Sequence, residues 1–211
     1  MMRISRYDDE ELLFSKYGWS GVVRANEEKI KEIAAEKGLS DFDRDFDELV
    51  DDLAKEYTPE APVLLTDEVS VDRIEVEVAR PRDPYSRRRS FGGPETIRKN
   101  AVEVTVPVEG DTGFFRVQPA TSDSAPPRAR VAEDHLVFQV IIETDDKDEL
   151  RASINERIAK IEKYLNWMRQ SAEGLASRMQ ALARSELEHR KKQLSSADDL
   201  VKGLGFKVKG E

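Results

Sequence analysis

The amino-acid sequence predicts an α+β protein: a small, mostly antiparallel β-domain of about five strands, preceded by helices and followed by one long coiled-coil-like helix. Three observations predict it. Apolar and polar residues alternate through the middle of the chain, as in Ile74-Glu75-Val76-Glu77-Val78 and Val102-Glu103-Val104-Thr105-Val106, the period of a strand covered on one face. On either side of that region the apolar residues recur at three- and four-residue intervals instead. Between Asp146 and Ser195 there is no proline to end a helix.

In chain order, the aromatics around Gly18 and Gly21 suggest a short helix near Asp8–Lys16 and then a turn. Asn26 reads as the N-cap of a helix that runs to about Lys37 and stops at Gly38. Asp41 reads as the cap of a second helix, with Phe42, Phe46, Leu49, Val50 and Leu53 on its buried face, ended near Tyr57 by Thr58-Pro59. Extended segments are expected over Val69–Val78, Val102–Val106, Phe114–Val117, Arg128–Val131 and Leu136–Ile142. Short turns at Gly110-Asp111 and Glu133-Asp134 allow hairpins but no crossovers.

In the last third, Ile154, Ile158, Ile161, Leu165, Met168, Ala172, Leu175, Met179 and Leu182 keep coiled-coil phase across Gly174. A helical hairpin breaking near Ser171–Gly174 is the competing reading. The kept phase favours a single helix of about 70 Å, longer than a small β-domain covers, so the seam is expected to mediate assembly. The expected segments are residues 1–60 (helical), 61–145 (β-rich, with a basic loop at 80–93) and 146–211 (long helix and tail).

Composition narrows the function classes. A net charge of -9 argues against general nucleic-acid binding, which relies on clustered cations. The absence of cysteine excludes disulfides and thiolate zinc sites. The N-terminus has no apolar signal-peptide core and no apolar run reaches the length of a membrane span, so a cytoplasmic protein without membrane contact is expected.

No catalytic motif emerges, and neither enzymatic activity nor a cofactor is expected. The run Asp41-Phe42-Asp43-Arg44-Asp45-Phe46-Asp47 begins like an EF-hand loop. However, Phe46 stands where the turn glycine belongs and Asp52 replaces the terminal Glu. His135 and His189 have no second metal ligand at helical spacing. There is no Gly-x-Ser-x-Gly elbow and no phosphate loop.

The distinctive local feature is basic. Arg80, Arg82, Arg87, Arg88 and Arg89 crowd one loop of an acidic chain, and Arg190-Lys191-Lys192 follow near the end of the long helix. Arginine forks suit phosphate or an acidic partner; a solvated surface loop accounts for the same residues.

Two stretches carry a family resemblance. One is Val106-Pro107-Val108-Glu109-Gly110-Asp111 with Phe115-Arg116-Val117-Gln118-Pro119, Pro126-Pro127-Arg128-Ala129-Arg130-Val131 and Leu136-Val137-Phe138. The other is Ile161-Glu162-Lys163-Tyr164-Leu165-Asn166-Trp167, then Ala183 to Gln193, closing with Leu204-Gly205-Phe206-Lys207-Val208-Lys209. Together they resemble an uncharacterised bacterial N-terminal module found fused to restriction-endonuclease-like or TIR effector domains in anti-phage defence proteins. Phe206-Lys207 depart from that family's usual Val-Pro. The resemblance implies a regulatory, scaffolding or sensing subunit whose effector lies on another chain, or else a truncated piece. The expected partners are a second copy of the chain or such an effector. A nucleic-acid-associated accessory role through the arginine loop is the alternative.

Overall fold

The computed structural model describes residues 4–6, 10–79 and 96–204, and it is α+β with a mostly antiparallel sheet. Strands β1 (Ile4–Arg6), β2 (Glu11–Leu12) and β3 (Tyr17–Gly18) are followed by helices α1 (Trp19–Glu36) and α2 (Phe46–Glu56). Then come β4 (Val63–Leu64), β5 (Ser70–Ala79), β6 (Thr96–Glu109), β7 (Val117–Gln118), β8 (Arg128–Val131) and β9 (His135–Ile141), and finally helices α3 (Lys147–Ser171) and α4 (Leu175–Gly203). The chain divides into two compact units, each built from two separate stretches. Met1–Gly18 joins Ala61–Arg169, and Trp19–Glu60 joins Gln170–Glu211.

The first unit is the sheet. Its strand order is β1-β5-β6-β9-β8-β2, with β4 paired to the far end of β6. The β5–β6 ladder runs from Ser70↔Thr105 to Ala79↔Thr96, and β6 pairs β9 from Ala101↔Ile141 to Pro107↔His135. Strands β1 and β2 sit at opposite ends of this order, yet only four residues separate Arg6 from Glu11. Such a connection reaches about 17 Å, whereas five gaps of a flat sheet span about 24 Å. The sheet must therefore curl until its edges approach each other. Strand β9 buries Leu136, Val137, Phe138 and Gln139 in succession, on both faces, instead of alternating.

The second unit is helical. Helices α1 and α2 pack on α4. The rows that meet are Val23, Ile30 and Ala34 on α1, Leu49, Val50, Leu53 and Ala54 on α2, and Leu175, Met179, Ala183 and Leu187 on α4. The α4 row advances four residues at a time, so it stays on one face. Asp45 caps α2 by accepting from the backbone N–H of Asp47 and Glu48 at 2.9 and 3.0 Å.

Several local expectations are corrected. Glu11–Leu12 is a short strand inside the stretch expected as a helix near Asp8–Lys16, and Tyr17–Gly18 is a short strand where a turn is expected. Helix α1 begins at Trp19 rather than at Asn26, which lies inside it and donates to the Tyr57 carbonyl at 3.0 Å. Residues Leu39–Asp43 form a 3-10 turn, and the cap of α2 is Asp45 instead of Asp41. Thr112–Arg116 is likewise 3-10, leaving only Val117–Gln118 extended.

The largest correction concerns the rod. Helix α3 stops at Ser171 and α4 starts at Leu175, because Gly174 adopts φ +73°, the left-handed conformation with which glycine ends helices. Helical phase survives the break, and that continuity is what made the sequence read as unbroken.

Candidate functional site

Of the basic residues singled out in the sequence, Arg80, Arg82, Arg87, Arg88 and Arg89 lie outside the described residues. The Arg190-Lys191-Lys192 triplet does not act as one patch. Arg190 donates through Nε to the Lys37 carbonyl at 2.9 Å, closing the end of α1. Lys191 Nζ stands 5.4 and 5.9 Å from the ring centres of Phe46 and Phe42, which stack on each other. Lys192 is exposed.

The assembly seam is already occupied. Ile161, Leu165, Met168 and Met179 are fully buried and Leu175 nearly so, while Ile154, Ile158 and Leu182 are half-buried. Their burial within the chain's own fold removes the reason for assigning this row to a partner.

The acidic run before α2 serves its own backbone and neighbouring side chains. Asp41 accepts from Gly38 N–H at 2.7 Å, Asp45 caps α2, Asp52 pairs with Arg44 at 2.9 Å, and Asp47 pairs with Arg184 at 2.5 Å. Among the described residues, no group of three or more His, Asp or Glu side chains is placed to hold a metal ion. His135 Nδ1 lies 2.5 Å from Asp134, and His189 Nε2 lies 2.8 Å from Gln193.

The most unusual polar arrangement was not anticipated. Between β8 and β9 the ladder covers only Arg130↔Val137 and Val131↔Leu136. Beyond it, side chains take over the role of a strand. The Gln139 N–H donates to Glu10 Oε1 at 2.7 Å, and the Gln139 carbonyl accepts from Arg157 Nη1 at 2.9 Å. The Arg128 carbonyl accepts from Arg157 Nη2 at 2.7 Å and Nε at 3.2 Å. Arg157 Nη2 also meets Glu10 Oε2 directly, closing the node. The guanidinium lies 4.9 Å from the Phe138 ring centre, and Arg128 Nη1 reaches back to the Glu10 carbonyl at 3.3 Å.

The Glu10 side chain is only 4% exposed. Burial pushes its carboxyl above the usual range, and the opposing pull of Arg157, the Gln139 N–H and Arg128 offsets only part of that push.

Residues 10–18 continue from this node as a strap. Leu13 N–H donates to the Pro127 carbonyl at 2.9 Å, Phe14 N–H to Phe115 at 2.5 Å, and Lys16 N–H to Arg116 at 2.9 Å. Leu13 and Phe14 are fully sunk. Phe14 stacks on Tyr164 at 5.0 Å between ring centres and meets Phe115 edge-on at 5.8 Å. Its φ of +53° is rare for a bulky residue. Tyr164 donates to Asp123 Oδ1 at 2.5 Å, and burial together with that bond pushes its phenol up to about 12. It acts as a hydrogen-bond donor, not as a base.

No protein-family model, curated protein or solved structure matches the chain. Both Glu10 oxygens are engaged and Arg157 serves three acceptors, which makes the node a scaffold rather than a place for a reactant.

The helical unit holds a separate groove of about 460 Å³, floored by Trp19, Val23 and Leu175 and rimmed by Arg24, Glu27 and Arg178. Arg178 and Glu27 pair across it at 2.5 Å. At the far end of α4 the pattern reverses from covered to open. Leu200, Val201 and Leu204 are 73%, 44% and 65% exposed.

One sequence signal for Arg157 was present but passed over. Arg157, Ile161, Tyr164 and Met168 are spaced four, three and four apart, so the arginine stands on the buried stripe itself. Glu10 has no such signal, sitting in the uniform run Asp8-Asp9-Glu10-Glu11.

Proposed function

We propose that this protein is a non-catalytic binding module that works by protein–protein assembly, as the regulatory, scaffolding or sensing subunit of a bacterial anti-phage defence system. The supporting observation is the open end of α4. Its row of Leu175, Met179, Ala183 and Leu187 is covered by α1 and α2, and the same helix continues into the exposed Leu200, Val201 and Leu204. Large apolar side chains clustered on an exposed helix end are the usual mark of a contact surface. In the family that the sequence resembles, effector domains attach just beyond the corresponding stretch, which favours an effector as the partner. The assembly surface proposed here is thus the last turns of α4 and not the buried seam.

The test pairs light scattering after size exclusion with the Leu200→Glu/Leu204→Glu variant. The wild-type chain should run above its 24.0 kDa monomer mass, alone or mixed with the effector-like product of a neighbouring gene. The variant should run as a monomer with unchanged stability. A wild-type chain that stays monomeric both alone and in that mixture removes the proposal.

A further inference from the structure

The β-unit is fastened by two segments far apart in sequence, the strap at residues 10–18 and the N-terminal part of α3, and these segments touch each other as well as the sheet. They meet first at Glu10 and Arg157, and again at Phe14 and Tyr164, two helical turns further along α3. We propose that strap and α3 form a two-point latch that closes and opens as one piece, so that neither segment leaves the sheet without releasing the other.

The first argument is electrostatic. Glu10 and Arg157 together replace the missing continuation of the β8–β9 ladder, the carboxylate serving the Gln139 N–H and the guanidinium serving the Gln139 and Arg128 carbonyls. If the strap leaves alone, it leaves the partly buried Arg157 charge without its carboxylate and orphans a backbone N–H. If α3 leaves alone, it strands the Glu10 carboxylate and two backbone carbonyls. Half-open states carry an unpaired charge in a site built for a pair, while the fully open state returns both charges to water. That penalty on the intermediates is what makes the opening cooperative.

The second argument is packing. The Phe14 ring is seated between Phe115 and Tyr164, so lifting the strap bares an α3 aromatic, and lifting α3 bares a strap aromatic. The third concerns bias. Phe14 holds a left-handed φ of +53°, an unfavourable conformation for a bulky residue that opening would relieve. The latch is therefore sprung toward release, and the open form would present the outer edge of β8, now covered by Glu11 and Leu12, as a free strand edge.

Hydrogen exchange on the full chain tests the proposal. In the wild type, the amides of Leu13, Phe14 and Lys16 should share one opening equilibrium with those of Ile154–Ile161 on α3, distinct from the slower Val102–Val106 ladder. Glu10→Gln removes the charge and should accelerate both sets by the same factor, about a hundredfold. Phe14→Leu leaves both charges in place and should accelerate both sets equally by about tenfold, which keeps the test open if the first variant folds poorly. Strap amides accelerating while α3 stays protected would overturn the latch. So would both sets moving together with the β5–β6 ladder, since that is global unfolding.

Discussion

The two units solve the same problem by opposite means. The helical unit is held by apolar rows at four-residue spacing, in which each residue meets a neighbour of its own kind, and Gln180–Asp51 or Arg184–Asp47 contacts decorate the outside. The β-unit instead places an ion pair inside and makes it stand in for part of a strand ladder. Glu10 lies 118 to 147 residues from the groups it meets. Apolar rows tolerate approximation, because a lost methyl group leaves only a cavity. A buried charge does not, because removing one partner leaves the other without compensation.

The largest effect expected from this contrast is at Arg157. Arg157→Met should destabilise the chain by about 3–5 kcal/mol, by leaving the Glu10 carboxylate buried and unpaired. Adding Glu10→Gln to that variant should restore part of the loss, giving a clearly non-additive cycle in urea unfolding. Additive costs would show that the two residues do not act as a pair, and the contrast between the units would collapse. In the helical unit, Leu187→Ala should cost about 2–5 kcal/mol by cavity formation. Leu187 and Arg157 lie in different units, so combining Leu187→Ala with Arg157→Met should be additive.

The same contrast explains what the sequence made legible. Strands β5, β8 and β9 stand within a residue or two of their expected limits, because alternation and turn residues are local signals. Rows such as Leu49-Val50-Leu53 and Ile161-Leu165-Met168 were visible as buried faces for the same reason. What covers those faces was not visible, and the seam was therefore assigned to a partner when its own chain fills it. Glu10 is one acidic residue in a run of four, and the pairing of β2 with β8 beside it is a long-range contact that no local pattern announces. The helix start at Trp19 was missed because no side-chain cap announces it.

Gly174 gives a smaller and cleaner effect. A Cβ there would meet nothing within 4 Å, so Gly174→Ala tests backbone conformation alone. With φ at +73°, the substitution should cost about 1–2 kcal/mol in urea unfolding. The unbroken helix read from the sequence implies the reverse, since alanine is the better helix former by about 1 kcal/mol. The sign of the change thus decides between the broken helix and the rod.

The smallest effect is the most discriminating for the node. Burial raises the Glu10 pKa, so the folded chain holds this proton to a higher pH than the unfolded chain does. Between the ordinary glutamate value and the raised folded value, folding takes up a proton. Glu10 therefore loses stabilising effect as pH climbs through that window and is constant above it. Glu11, its neighbour, works in the opposite sense. Slight burial pushes its carboxyl up, but Lys16 and Arg116 hold it below the usual range, so its contribution grows as pH rises toward the ordinary glutamate value and is lost in acid. Urea unfolding from about pH 3 to about pH 7 should show the wild-type advantage over Glu10→Gln shrinking with pH and the advantage over Glu11→Gln growing. Two adjacent glutamates would then carry opposite slopes, one set by burial and the other by its cations. If the Glu10 slope instead rose with pH, the Arg157 attraction would outweigh burial, and the node would be a net source of stability rather than a pair kept for what it holds together.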